Sequence, residues 1–117
     1  MAVNIGPKIG VDGEAEYRRQ INQIIQQSKT LESQMKLVAS QFTSATTAEE
    51  KNAKTAAVLT KQIDTQRERV KLLAEQTGKA AAKYGESDTK TQKWQQALNE
   101  ATATLNKMQN ELRDTSS

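Results

Sequence analysis

The chain has 117 residues, 17 basic and 14 acidic, for a net charge of +3, and 35% of it is hydrophobic against roughly 45–50% in ordinary globular domains. That poverty of apolar residues excludes a large core and favours narrow apolar seams on solvated helices. The absence of cysteine and histidine excludes disulfides, the usual zinc ligand sets and any Ser-His-Asp or Cys-His arrangement.

Residues 1–12 read as an extended arm. They hold the single proline, Pro7, which biases Gly6 away from helix, and the alternation of Ile9 and Val11 suits a short strand or a segment that pairs with a partner. The arm lacks the apolar run of a signal peptide, and no stretch approaches the roughly 20 apolar residues of a membrane span. The expectation is a protein made in the cytoplasm, with no membrane in this segment.

A helical region is expected over 13–117, with its first helix over about 13–42. Asp12 can accept hydrogen bonds from the first-turn amides, and Glu14 and Glu16 complement the positive end of the dipole. Tyr17, Ile21, Ile24, Leu31, Met35, Val38 and Phe42 fall on alternating steps of four and three, with Ser28 filling the one gap. Ile25 and Leu37 flank this seam. A helix of that extent is roughly 45 Å long.

The run Thr43-Ser44-Ala45-Thr46-Thr47 breaks the pattern, and Thr47-Ala48-Glu49-Glu50 restarts it with the spacing of a capping box. In such a box Thr47 takes the Glu50 amide while the Glu50 carboxylate reaches back. A second helix over about 47–84 then carries Ala56, Leu59, Ile63, Val70, Leu73, Ala80 and Tyr84, with Gln66 and Thr77 as polar seam positions. Such polar positions either specify register or mark wet places in a loose seam, and the wet reading is adopted for Ser28, Gln66 and Thr77. Fraying or a bend is expected at Thr77-Gly78, because glycine costs about 1 kcal/mol relative to alanine inside a helix. Gly85 reads as a left-handed stop.

Ser87 or Asp88 can cap a third helix over about 88–113, where Thr91, Trp94, Leu98, Ala101, Leu105, Met108 and Leu112 form an unbroken heptad seam. The fold class is therefore all-α: three long amphipathic helices with heptad seams, in a coiled-coil or helical-hairpin arrangement, behind an extended N-terminal arm. The short connections permit either antiparallel hairpins or a single interrupted rod.

Candidate sites for chemistry fall away one by one. Asp12, Glu14 and Glu16 open like a calcium loop, but Gln23 stands where its glutamate is needed. The glycines at 6, 10 and 13 match neither a dinucleotide fingerprint nor a phosphate loop. Trp94 sits on a seam position and reads as a packing anchor. Arg18-Arg19 and the run from Arg67 to Lys71 lack the interleaved aromatics that stack bases, so no sequence-specific nucleic-acid binding is expected. Nothing gathers carboxylates into a dry pocket, so the chain reads as non-enzymatic, without cofactor or metal. The candidate functional residues are the seams themselves, which cannot remain wet and so predict a homo-oligomer through coiled coils.

Three stretches carry a resemblance. Lys8-Ile9-Gly10-Val11-Asp12-Gly13-Glu14-Ala15-Glu16-Tyr17-Arg18-Arg19, then Ser33-Gln34-Met35-Lys36-Leu37-Val38-Ala39-Ser40-Gln41-Phe42, then Tyr84-Gly85-Glu86-Ser87-Asp88-Thr89-Lys90-Thr91-Gln92-Lys93-Trp94 resemble, in that order, the opening of tape measure proteins of long-tailed phages and prophages. Such proteins often begin with an I-x-V-D-G-x-x-x-[FY] phrase. The family is much longer, so the resemblance implies an N-terminal fragment. It also implies a ruler in the virion tail tube lumen, made in the bacterial host cytoplasm, with tail tube proteins and tail assembly chaperones as partners. The competing expectation is a small secreted helical-hairpin effector or export-partner protein, whose usual Trp-x-Gly turn is missing here.

Overall fold

The computed structural model of the chain describes residues 13–116. The arm read over residues 1–12, with Asp12 as a helix cap, lies outside the described residues. Three helices follow one another: α1 over Glu14–Ser40, α2 over Ala48–Tyr84 and α3 over Thr89–Ser116. The described residues contain no strand, and the fold is all-α.

Local chemistry sets each boundary. Gly13 is the N-cap of α1 at φ 82, its carbonyl accepting from the Tyr17 amide at 2.9 Å. A Cβ there would meet only the mobile tip of Lys79, Nζ at 3.0 Å, so it is the positive φ that calls for glycine. At the other end α1 closes at Ser40, short of Phe42. The Ser40 hydroxyl donates to the Leu37 carbonyl at 2.6 Å, and the Thr43 amide donates to Thr46 Oγ1 at 2.8 Å, drawing the chain into a turn. Phe42 lies in this link, partly buried.

Thr47 is the N-cap of α2, its hydroxyl accepting the Glu50 amide at 3.1 Å, which is the Thr47 half of the capping box. The helix runs unbroken through Gly78, where fraying or a bend was the expectation. Thr77 is buried there with its hydroxyl on the Leu73 carbonyl at 2.7 Å, and the packing of this turn outweighs the glycine cost. Gly85 ends α2 at φ 91, ψ 154, its amide on the Ala81 carbonyl at 2.9 Å. That is a mirror-extended conformation open to glycine rather than the left-handed helical one the sequence suggested. Asp88 caps α3: Oδ1 takes the Lys90 amide at 2.8 Å and its carbonyl takes the Gln92 amide at 2.9 Å. The helix continues to Ser116, beyond the expected end at 113.

The helices fold back on one another. α1 and α3 each pack antiparallel against α2, and among the described residues no α-carbon of α1 comes within 8 Å of one in α3. α2 is thus a central helix with two partners, in a body 58 × 25 × 20 Å. Its 37 residues alone account for roughly 55 Å of that length.

Candidate functional site

The seam residues divide the molecule into two halves. The closed half lies where α1 begins, α2 ends and α3 begins. Here Tyr17, Ile21 and Ile24 of α1, Leu72, Leu73 and Ala80 of α2, and Trp94 and Ala101 of α3 form one buried cluster, with Ile25, Val70, Tyr84, Ala97 and Leu98 packed against it. Trp94 and Ile21 are fully buried. The Tyr17 and Trp94 rings meet edge to face, centroids 5.1 Å apart at 74°, a geometry favoured by the ring quadrupoles. Two large rings here act as a wedge that lets α1 and α3 touch through side chains while their backbones stay apart.

Burial raises the Tyr17 hydroxyl pKa from 10.0 to about 12; the nearby Arg69 and Arg18 charges oppose that shift in part. At the rim, Lys83 and Lys90 place their ammonium groups 5.2 and 4.8 Å from the centre of the Tyr84 ring, within cation–π range. Exposed Glu16 sits below its ordinary pKa because it accepts from Arg19 and is attracted by its charge. Arg18 pairs with Glu14 at 3.5 Å.

The open half lies around the α1–α2 link and the end of α3. Leu31, Val58, Leu59 and Ile63 are buried, but Met35 and Val38 of α1 and Leu105, Met108 and Leu112 of α3 are only partly covered. Composition explains the difference for Met35 and Val38. The opposing start of α2 offers Ala48, Ala53, Ala56 and Ala57 as its only apolar side chains before Val58. A methyl group covers far less of Met or Val than Leu72 and Leu73 do in the closed half. Leu37, off the seam, is 59% exposed.

The polar seam positions depart from the wet reading. Gln66 is 5% exposed and its Nε2 donates to the Ala101 carbonyl at 2.9 Å. It is a buried, interhelical bond that ties α3 to α2 at this level. Thr77 is likewise buried, while Ser28 is partly exposed. Pattern reading missed Val58, Leu72 and Gln76, all buried on α2. It assigned α2 one stripe, whereas a central helix needs one for each partner; the doublets Val58-Leu59 and Leu72-Leu73 were the available signal. Gln76 Oε1, Thr91 Oγ1 and Trp94 Nε1 are buried without a hydrogen-bond partner.

A cavity of about 170 Å³ sits between the three helices, lined by Tyr17, Gln66, Arg69, Leu73 and residues of α3 from Ala97 to Thr104. Among the described residues no group of three or more carboxylates could hold a metal ion, and no helix is long and apolar enough to cross a membrane. The arrangement brings together apolar side chains and amides within the chain. No protein-family model, curated protein or solved structure matches the chain.

Proposed function

We propose that the chain is a non-enzymatic structural component of a phage tail, the N-terminal segment of a tape measure protein. The observation that carries this reading is the ordered run of three tape-measure-like phrases, from Lys8 to Arg19, Ser33 to Phe42 and Tyr84 to Trp94. Uninterrupted helices also suit a ruler, because each residue adds a fixed 1.5 Å. The segment works in the tail tube lumen in several copies, associating through its seams, with tube subunits and assembly chaperones around it. Laid end to end the helices would span roughly 138 Å; folded back they span 58 Å. In this reading the segment is a compact head of the ruler rather than part of its measured length.

The back-folded hairpins also favour a second reading, a small secreted helical-hairpin effector or export partner. One experiment separates the two: mass spectrometry of the native gene product, from purified tails and from culture medium. Peptides of this chain within a much longer virion protein support the ruler. A free product of about this size outside any particle overturns it.

A further inference from the structure

We infer that the chain has a second packing, in which both links turn helical and α1, α2 and α3 join into one rod, paired in parallel with further copies through a single continuous heptad frame. The inference rests on the self-association part of the proposed function and says how seams occupied within one chain become available to another. The compact head is then one of two states.

The three seams share one phase. Alternate steps of four and three from Tyr17 reach Phe42, pass through Ala45, Glu49 and Asn52 to Ala56, and continue to Tyr84. They then pass through Ser87 to Thr91 and run on to Leu112 with no residue skipped or added. Two back-folded hairpins do not require this, because a link that reverses the chain can change length without disturbing the rows on either side of it. A strict seven-residue repeat held over so many turns is the pattern that winds helices into a left-handed coiled coil.

In the bundle every frame position is buried or partly buried except Ala45, Glu49, Asn52 and Ser87, which lie in or beside the links. Those four cover nothing in the folded-back chain, yet they keep the count. No proline follows Pro7, so neither link is barred from helix. Gly85 and the threonines at 43, 46 and 47 are weak helix formers, and parting the helices uncovers Val58 and Leu72, which are buried off the frame. Alone, the chain therefore stays folded back. Parallel copies cover the whole stripe at once and draw the equilibrium toward the rod by mass action.

The polar frame residues set the direction. In a parallel pair each meets its own counterpart, and Gln66 exchanges its bond to the Ala101 carbonyl for the partner's Gln66, the kind of buried polar pair that specifies register. An antiparallel pair over the same span would set Gln66 against Ile63 and Thr91 against Val38. Parallel copies also run the same way along a tube. Glu49 meets a like charge and is the weakest point of the frame.

The test combines sedimentation velocity of the full chain with energy transfer between dyes on cysteines placed at exposed Ala15 and Glu75, a few labelled chains among unlabelled ones. The chain has no cysteine of its own. Gly13 lies against Lys79, so in the bundle both dyes sit at one end; in the rod they are roughly 90 Å apart. Dilute monomers should show strong transfer, and the oligomers formed at higher concentration should lose it. Glu49→Leu, which completes the frame across the first link, should lower the concentration at which transfer is lost about tenfold. Lys54→Leu, equally apolar but exposed and off the frame, should leave it unchanged. Oligomers that keep strong transfer, an absence of oligomers in the parent and Glu49→Leu alike, or equal effects of the two leucines would overturn the proposal. None of these outcomes bears on whether the chain belongs to a tail, which the mass spectrometry decides separately.

Discussion

The two halves of the bundle are built from the same heptad repeat and are covered very differently. Trp94 and Met108 both occupy the apolar row of α3. Trp94 is fully buried against Tyr17 at 5.1 Å, while Met108 is partly open. The difference lies in the third helix: Trp94 belongs to a cluster that α1, α2 and α3 build together, with Tyr17 of α1 against its ring, while Met108 lies outside that cluster. A heptad position therefore states which way a side chain points and leaves open how well it is met. Stability should concentrate at one end and surface for association at the other.

Truncations across the divide test this most severely. Trp94→Ala should cost about 3–5 kcal/mol, since it empties a fully buried site. Met108→Ala, measured by the same urea titration, should cost about 1 kcal/mol or less. Equal losses would mean the halves are equally packed.

A pH titration comes next in size. Tyr17 has its folded pKa raised from 10.0 to about 12, so the unfolded chain ionises first. The stability that burial lends is fully present below pH 10 and is lost as pH rises toward 12, by ~2–3 kcal/mol in all. Tyr17→Phe should remove that part of the alkaline decline, checked by thermal melts across the window. An unchanged slope would show that Tyr17 reaches solvent.

Two substitutions should stabilise the closed half. Gln76→Leu removes a buried amide oxygen that has no partner, and should gain about 1 kcal/mol. Gly78→Ala should gain a similar or slightly smaller amount, because the residue is helical and a Cβ there meets nothing within 4 Å. Chemical denaturation reads both, and a loss from Gly78→Ala would place an unseen contact on that face.

Much of the fold was legible because helices announce themselves locally. The four-three rows predicted three helices, Thr47 and the pair Ser87-Asp88 marked two starts, and Trp94, read as a packing anchor, is fully buried. What escaped was tertiary. Gln66 looks like a wet interruption until the Ala101 carbonyl stands opposite it. Val58 and Leu72 look like neighbours of a seam until α2 is known to lie between two partners. Gly78 looks like a weak point until Thr77 is seen buried beside it. The first two depend on residues far away in the chain, which periodicity cannot supply. For the candidate association surface, the sequence marked the seam residues alike, and the geometry separated those already occupied within the chain from those left partly open.

The Gln66 bond to the Ala101 carbonyl also has a mechanical meaning. Because α1 and α3 run the same way along α2, Gly13 and Ser116 sit at opposite ends of the body, and tension applied there loads both helix interfaces in shear. Sliding α3 along α2 must break this buried amide contact at the outset. The next equivalent seating of the seam lies one heptad away, roughly 10.5 Å, and sets Trp94 or Met108, both far bulkier than Ala101, beside Gln66. The amide thus behaves as a pawl, holding the bundle at one length until it gives way abruptly.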